Sequence, residues 1–173
     1  MIRRCTEAEV PLIEAIINEA ALAYEGVIPA DCWHQPYMSL AELLAEIAAD
    51  VQFWGWEDSG ALLGVMGIQK VRDATLIRHA YVSSAHQGRG IGDALLAALV
   101  RQSSGKLLVG TWAAAEWAIR FYQRHGFRLV PAEEKDRLLR MYWKISQRQR
   151  ETSVALIYSA QTTRDRHGKG FVD

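Results

Sequence analysis

Residues 87–92 read Gln-Gly-Arg-Gly-Ile-Gly, and the flanking segments indicate the structural role of this stretch. An apolar, strand-like run at 75–82 precedes it, and a helix-like run at 91–101 follows it. A glycine-rich turn from a strand into a helix presents backbone N–H groups beside the positive end of the helix dipole. The stretch therefore predicts a seat for a phosphate group.

Two familiar phosphate-binding motifs do not fit the spacing of these glycines. A dinucleotide fingerprint needs Gly-x-Gly-x-x-Gly, and its third glycine would fall on Asp93 or Leu95, depending on where the count begins. A nucleoside-triphosphate loop ends in Gly-Lys-Ser/Thr, whereas Gly92 is followed by Asp-Ala. What remains is the pattern Gln/Arg-x-x-Gly-x-Gly/Ala, which positions 87, 90 and 92 satisfy.

A second motif lies one predicted strand farther along the chain. Residues 118–127 read Ala-Ile-Arg-Phe-Tyr-Gln-Arg-His-Gly-Phe, with a glycine that suits the left-handed position at a helix end. The two motifs, in this order and at this separation, resemble the pyrophosphate loop and the Ala-x-x-Phe-Tyr-x-x-x-Gly-Phe signature of the GCN5-related N-acetyltransferases, the GNAT family. The resemblance covers roughly residues 1–159.

This resemblance implies the α/β fold of GNAT acyl-CoA N-acyltransferases. That fold is a mixed, mostly antiparallel sheet of about six to seven strands, flanked by helices and splayed in the middle. The residue pattern agrees, with apolar strand-like runs alternating with helical stripes. Predicted strands lie at 2–5, 51–57, 61–71, 75–83, 106–112, 127–130 and 152–158.

Predicted helices follow two capping boxes, Thr6 with Glu9 and Ser39 with Glu42. Pro11 either starts the first helix or kinks it after one turn. A further helix is predicted after Pro131, from apolar residues at positions 138, 141, 142 and 145. We expect one acetyltransferase domain over 1–160, and a disordered tail over 161–173, which is polar and contains glycine.

Composition indicates an ordinary cytoplasmic enzyme. The chain has 173 residues, 50% of them hydrophobic, which is enough to build one well-buried domain. Its 20 basic and 20 acidic residues cancel, so no nucleic-acid partner is expected. Cys5 and Cys32 are expected to be reduced thiols rather than a disulfide framework or a zinc site. Neither an apolar signal core nor a membrane-length apolar run is present.

The resemblance implies acetyl-CoA as co-substrate and no metal. It places the pyrophosphate on the amides of the 87–92 loop and the pantetheine arm on the strand before it. The residues so assigned to the cofactor are Tyr81, Val82, Ser83, Gln87, Gly88, Arg89, Gly90, Ile91, Gly92 and Tyr122. Val82 matches the family position whose backbone N–H stabilises the oxyanion formed when an amine attacks the thioester.

Tyr122 occupies the family's tyrosine position, where a neutral phenol donates a proton to the departing thiolate. The alternative is an aromatic that only packs. Relatives often carry a basic carboxylate on the strand before the phosphate loop, but this strand has none between Thr75 and Gln87. His79 is therefore the candidate base, with Glu116 as the second candidate. The alternative for His79 is a strand histidine that faces solvent or packs in the core. Because side chains alternate along a strand, His79 is expected to share a face with Tyr81, and Arg78 to share the other face with Ala80.

One position departs from the family pattern. Relatives often place a cofactor-binding Asn three residues before the alanine of the tyrosine helix, where this chain has Ala115. Arg89 and Arg120 are candidates to compensate at the phosphates, unless both are merely solvated.

Trp33 and Tyr37 are the candidate residues for binding the acceptor, and Trp112 and Trp143 are further candidates. For Trp112, which ends an apolar strand, packing in the core is the favoured interpretation.

The function implied is acetyl transfer from acetyl-CoA to a primary amine of a small molecule or peptide, by direct attack in a ternary complex. The resemblance also allows a homodimer. Two alternatives remain open: an acyl-CoA-binding sensor without turnover, and a toxin-like acetyltransferase acting on aminoacyl-tRNA. The intact Tyr122 argues against the sensor, and the zero net charge argues against the toxin.

Overall fold

A computed structural model describes residues 1–159 of the chain, so the predicted tail at 161–173 lies outside the described residues. Seven strands form one sheet in the order β1-β2-β3-β4-β5-β7-β6. Their bounds are Ile2–Arg4 (β1), Gln52–Asp58 (β2), Ala61–Val71 (β3), Ala74–Val82 (β4), Lys106–Trp112 (β5), Phe127–Leu129 (β6) and Ser153–Tyr158 (β7). Only β4 and β5 pair in parallel. The predicted mixed, mostly antiparallel sheet is confirmed.

Six α-helices flank the sheet among the described residues. Their bounds are Val10–Ala20 (α1), Leu40–Ala48 (α2), Ile91–Gln102 (α3), Glu116–Arg124 (α4), Ala132–Tyr142 (α5) and Gln147–Glu151 (α6). Short 3₁₀ turns lie at Glu7–Glu9, Ala21–Tyr24, Ala30–Cys32 and Ser84–His86. Within residues 1–159, no helix combines the length and apolar character needed to cross a membrane.

The predicted capping residues begin the first two helical segments. The Ser39 N–H donates to the Glu42 carboxylate at 2.7 Å, and the Glu42 N–H donates to the Ser39 hydroxyl at 3.2 Å. The Thr6 N–H likewise donates to the Glu9 carboxylate at 2.8 Å, at the start of the 3₁₀ turn that leads into α1. Pro11 lies in the first turn of α1, where its missing N–H costs nothing, and it starts the helix rather than kinking it.

Two cores lie on opposite faces of the sheet. On one face, α3 and α4 pack on a cluster that includes Leu95, Leu99 and Val109. On the other face, α1 and α2 cover β2 to β4, and α5 covers β5 and β7. The middle of the sheet is therefore covered on both sides, except where β4 and β5 separate.

The sheet opens in the middle, as predicted. The parallel pairing of β4 with β5 runs from Ala74 with Lys106 to Ile77 with Val109 and stops there. The rest of β4 pairs only with β3, and the rest of β5 pairs only with β7. We call this gap between residues 78–82 and 110–112 the split.

The sequence-based prediction was wrong in the segment between α5 and β7. The predicted helix included Ile145, but α5 ends at Tyr142 and Trp143 is extended. The short helix α6 follows instead, with the Ser146 hydroxyl accepting from the Gln149 N–H at 3.1 Å. Its sequence, Gln-Arg-Gln-Arg-Glu, has no apolar stripe, so periodicity gives no signal for it.

Candidate active site

A cavity of about 470 Å³ occupies the split. One part of its wall comes from α4, through Trp117, Phe121 and Tyr122. Another part comes from the opposite face of the sheet, where Tyr37 and Trp143 lie. The cavity therefore has walls on both faces of the sheet, and the strand backbones of the split lie between them.

Val82 directs its backbone N–H toward the split. The Ser83 N–H donates to the Leu63 carbonyl of β3 at 2.9 Å, and Val82 stands opposite Gly64. Hydrogen bonds alternate along an antiparallel strand, so the N–H of Val82 points away from β3. The Val82 carbonyl accepts from the Gln87 side chain at 3.1 Å. A free N–H at this point is the arrangement that a developing oxyanion requires.

The glycine loop leads into α3 as the sequence predicts. Gly88 and Gly90 have φ values of 74° and 77°, a left-handed conformation that L-residues rarely adopt. Gly90 is the residue immediately before α3, and its carbonyl accepts from the Ala94 N–H. The first-turn N–H groups of α3 have no partner within the helix, so they are free to bind an anion.

A second cavity, of about 260 Å³, lies over this loop. Its lining includes Gln87, Gly88, Gly90, Ile91 and Gly92 but not Arg89. Arg124, the last residue of α4, places a cation on the wall of this cavity. Arg124 also lines the cavity in the split. Sequence reasoning missed Arg124, because helical periodicity alone does not show which end of α4 faces the loop.

Tyr122 lies on the buried face of α4 and lines the split. Its ring packs edge-on against Phe121 and Phe127, with centroid distances of 5.2 and 5.5 Å. Burial raises the pKa of Tyr122, so the phenol is neutral at physiological pH. Tyr122 is thus both a packed aromatic and a protonated donor at the cavity wall.

His79 sits on a β-bulge. The register between β3 and β4 shifts between Val65 and Gly67, and His79 has a φ of 51°. Strict alternation predicts Arg78 and His79 on opposite faces, and this prediction was wrong, because both side chains reach Glu46 on α2. The predicted shared face of His79 and Tyr81 is confirmed, since both lie on the α2 side.

The surroundings of His79 keep its imidazole neutral. Its ring stacks on Phe53 at a centroid distance of 6.0 Å, and its Nε2 lies 3.2 Å from Glu46 Oε2. Burial lowers the pKa of His79, and this effect outweighs the opposing hydrogen bond to Glu46. The histidine is therefore helix-covered, as the alternative interpretation required, yet it still lines the cavity.

Aromatic side chains form one wall of the cavity in the split. Tyr24 stacks on Trp117 at 5.8 Å and contacts Tyr37 at 5.3 Å. The Trp112 Nε1–H donates to the Tyr37 hydroxyl at 2.8 Å, so this largely buried tryptophan also lines the cavity. Trp33 does not line it; Trp33 stacks on Tyr37 at 6.0 Å, beside the cavity wall. Sequence reasoning missed Tyr24 and Trp117.

Several candidates from the sequence lie elsewhere. Glu116 is exposed in the first turn of α4 and pairs with Arg120 at 3.6 Å, and neither residue lines the two cavities described above. Ala115 is fully buried against the aromatic wall. His125, the residue after α4, bridges the Phe121 carbonyl and Asp93 of α3. Both cysteines are free thiols.

Comparison with known proteins identifies relatives of this chain. The model of the acetyltransferase (GNAT) domain matches residues 49–129. Peptidyl-lysine N-acetyltransferase YiaC of Escherichia coli K12 is 30% identical over 148 residues, covering 84% of this chain and 95% of that protein.

Solved structures show the same fold at lower identity. The PaiA N-acetyltransferase of Thermoplasma acidophilum in complex with coenzyme A superimposes with a TM-score of 0.67 at 16% identity, over 92% of this chain and 98% of its own. A ribosomal-protein-alanine N-acetyltransferase of Brucella melitensis gives a TM-score of 0.62 at 20% identity, over 91% and 98%.

Proposed function

Since this chain belongs to the GNAT family of acetyltransferases, we propose that it moves the acetyl group of acetyl-CoA onto a primary amine by direct attack in a ternary complex. The observation that carries the proposal is the junction of the two cavities. Val82, Gln87, Phe121 and Arg124 line both the phosphate-loop cavity and the split. A ligand with a pyrophosphate at one end and a thioester at the other fits this junction.

The cofactor's charged end is assigned to the loop and α3. The amides of Gly88, Gly90 and Gly92 approach the pyrophosphate without side chains in the way. Arg124 adds a cation where the two cavities meet. The remaining predicted contacts, Tyr81, Val82 and Ser83, lie along the strand backbone that runs from the split to this loop.

The chemistry is assigned to three groups around the split. The amine nitrogen bonds to the thioester carbon, and the Val82 N–H stabilises the charge that develops on the thioester oxygen. The carbon–sulfur bond then breaks, and Tyr122 gives its proton to the departing thiolate. His79 takes one proton from the ammonium before the attack, and the second nitrogen proton, released as the amide forms, restores the Tyr122 phenol. The products are an amide and free coenzyme A.

We assign the acceptor as the ε-amine of a lysine in a peptide. The cavity wall near Tyr24, Tyr37 and Trp117 is aromatic and neutral, and no carboxylate among residues 1–159 lines this cavity. Such a wall suits one amine on a slender alkyl stem better than a polyamine, whose further charges need acidic partners. The relative YiaC, named as a peptidyl-lysine N-acetyltransferase, supports the same assignment.

A thiol-release assay tests the transfer reaction. We expect acetyl-CoA to yield free thiol with a lysine peptide but not with the same peptide carrying Nε-acetyl-lysine, and more slowly with spermidine. If spermidine is the better acceptor, the peptide assignment is wrong. If no amine raises thiol release above hydrolysis, the transferase proposal itself fails.

A matched pair of glycine variants tests the cofactor site. Gly88 and Gly105 have left-handed φ values of 74° and 76°, and a Cβ at either position meets open space. Gly88→Glu and Gly105→Glu therefore carry the same backbone strain, but only Gly88→Glu places a carboxylate beside the pyrophosphate. We expect calorimetric titration to show acetyl-CoA affinity at least roughly tenfold weaker in Gly88→Glu alone. Equal affinities in the two variants would remove the loop from the site.

A further inference from the structure

Three side chains converge on the α2 side of the split. The Arg78 guanidinium lies 2.7 Å from Glu46 Oε2, and the His79 Nε2 lies 3.2 Å from the same oxygen. Their side chains are only 16%, 16% and 28% exposed for Arg78, His79 and Glu46. His79 and Arg78 line the cavity in the split, whereas Glu46 does not. Glu46 therefore contacts the cavity only through its two partners.

The β-bulge produces this convergence. Neighbouring residues of a regular strand point to opposite faces, so Arg78 and His79 would not share one carboxylate. At the bulge His79 takes a φ of 51°, a left-handed conformation that is strained for a non-glycine residue. Gly67 makes room for the bulge, because a Cβ there would stand 2.9 Å from the Arg78 carbonyl oxygen.

The hydrogen bond to Glu46 fixes the tautomer of His79. A carboxylate only accepts, so Nε2 carries the hydrogen that lies between the two side chains. In the neutral imidazole the other nitrogen, Nδ1, is then an acceptor, and no described residue donates to it. A histidine with this tautomer at a cavity wall has one free nitrogen for a proton.

We propose that Glu46 is the positioning residue that orients His79 as the general base of this acetyltransferase. This proposal rests on the proposed function. The proton lost by the acceptor's ammonium group goes to His79 Nδ1, and the resulting imidazolium keeps its Nε2–H on the Glu46 carboxylate. A carboxylate from α2, acting through a histidine, thus replaces the carboxylate that the sequence of β4 lacks.

The charged side chains beside His79 come from one helix and one strand. Glu46 comes from α2, and Arg78 is its neighbour on β4. Two uncharged residues also contact these side chains. Phe53 of β2 stacks on the His79 imidazole, and the Gln69 side chain of β3 accepts a hydrogen bond from Arg78 at 2.7 Å. Burial alone would raise the pKa of Glu46, but His79 and Arg78 outweigh it and keep the carboxylate ionised.

Removing the negative or the positive charge beside His79 tests the proposal through the pH profile of kcat/KM. We expect His79→Gln to lower kcat/KM by about 10²-fold or more and to remove the acidic limb of the pH profile. Glu46→Gln removes a negative neighbour and should move that limb to lower pH, while Arg78→Gln removes a positive one and should move it to higher pH. Glu46→Asp keeps the charge and should restore part of the turnover.

A nitrogen-detected NMR titration of the imidazole gives a second readout that does not need turnover. It should show His79 as the Nε2–H tautomer, and Glu46→Gln should lower its pKa. The proposal would be overturned if folded Glu46→Gln kept both the wild-type acidic limb of the pH profile and the wild-type pKa of the His79 imidazole. Should Glu46→Gln fail to fold, an unshifted limb in Arg78→Gln together with an Nδ1–H tautomer in the wild-type protein overturns it. A wild-type protein without amine-dependent turnover would instead contradict the proposed function.

Discussion

The two halves of β4 have the same strand backbone but different neighbours. Residues 74–77 lie between β3 and β5, and all four are buried. Residues 78–82 have only β3 beside them, and all five are partly exposed. The first half has no side chain that titrates in the physiological range, whereas the second holds His79, the bulge and the free Val82 N–H. Losing one neighbouring strand leaves the second half of β4 open to the cavity, where we propose that it takes part in the reaction.

The largest expected effect is on the split half, whose residues 78–82 line the same cavity as Tyr122 of α4. If Tyr122 protonates the leaving thiolate, Tyr122→Phe should lower kcat by ~10²–10⁴-fold and leave acetyl-CoA affinity nearly unchanged. The phenylalanine ring keeps the packing against Phe121 and Phe127. Steady-state kinetics with calorimetric titration measures both quantities. Wild-type turnover in Tyr122→Phe would reduce the tyrosine to a packing role.

The paired half should respond in stability instead of turnover. Leu76 is fully buried beneath α5, so Leu76→Ala should lower the free energy of unfolding by about 2–5 kcal/mol. Its kcat/KM per folded molecule should stay near the wild-type value, because Leu76 does not line the cavity. Chemical denaturation and kinetics on the same samples make the comparison. A turnover defect as large as that of Tyr122→Phe would show that the two halves are not separable.

A smaller change tests the boundary between the halves. Gly67 pairs with Arg78, and its missing Cβ leaves space for the Arg78 carbonyl oxygen and for Val51. Gly67→Ala should destabilise the fold by roughly 1–3 kcal/mol and disturb the bulge, because a backbone atom has to move. The acidic limb of the pH profile should change with it, while acetyl-CoA affinity stays the same. An unchanged limb would mean that the bulge does not position His79.

Local sequence patterns predicted the features that depend on neighbouring residues in the chain. The glycine turn before α3, the tyrosine on α4 and the capping boxes all follow from short-range spacing. The central strands were predicted in the same way, because apolar runs such as 74–77 and 107–109 are buried without a break. The family resemblance supplied the splayed sheet, which no periodicity encodes.

Long-range pairing decided the features that the sequence did not reveal. The bulge at His79 depends on the register with β3, so strict alternation placed Arg78 on the wrong face. Glu46 reads as one polar residue on an amphipathic helix, and only the fold brings it to His79. Tyr24 lies in a 3₁₀ turn without a distinctive motif, and Trp33 stacks on Tyr37 without lining the cavity.

The smallest expected effect separates the two halves by the pH dependence of stability. Burial lowers the pKa of folded His79 below the unfolded value of about 6.5, so the unfolded chain binds this proton more readily. The stability that neutral His79 contributes is therefore complete above about pH 6.5 and declines as the pH falls toward the lower, folded pKa.

Within that window the cost is at most about 1.4 kcal/mol for each pH unit. The titration of Glu46 lies lower: its pKa is lowered in the folded chain, so the stability it contributes is complete above the ordinary glutamate pKa of about 4.3 and is lost only below that pH. Urea unfolding at a series of pH values should show a shallower decline in His79→Gln than in the wild-type protein. In Leu76→Ala the slope should match the wild type, because that change lowers stability equally at every pH. Parallel slopes in all three proteins would mean that His79 titrates as freely in the folded chain as in the unfolded one, and the split would then provide no buried neutral base.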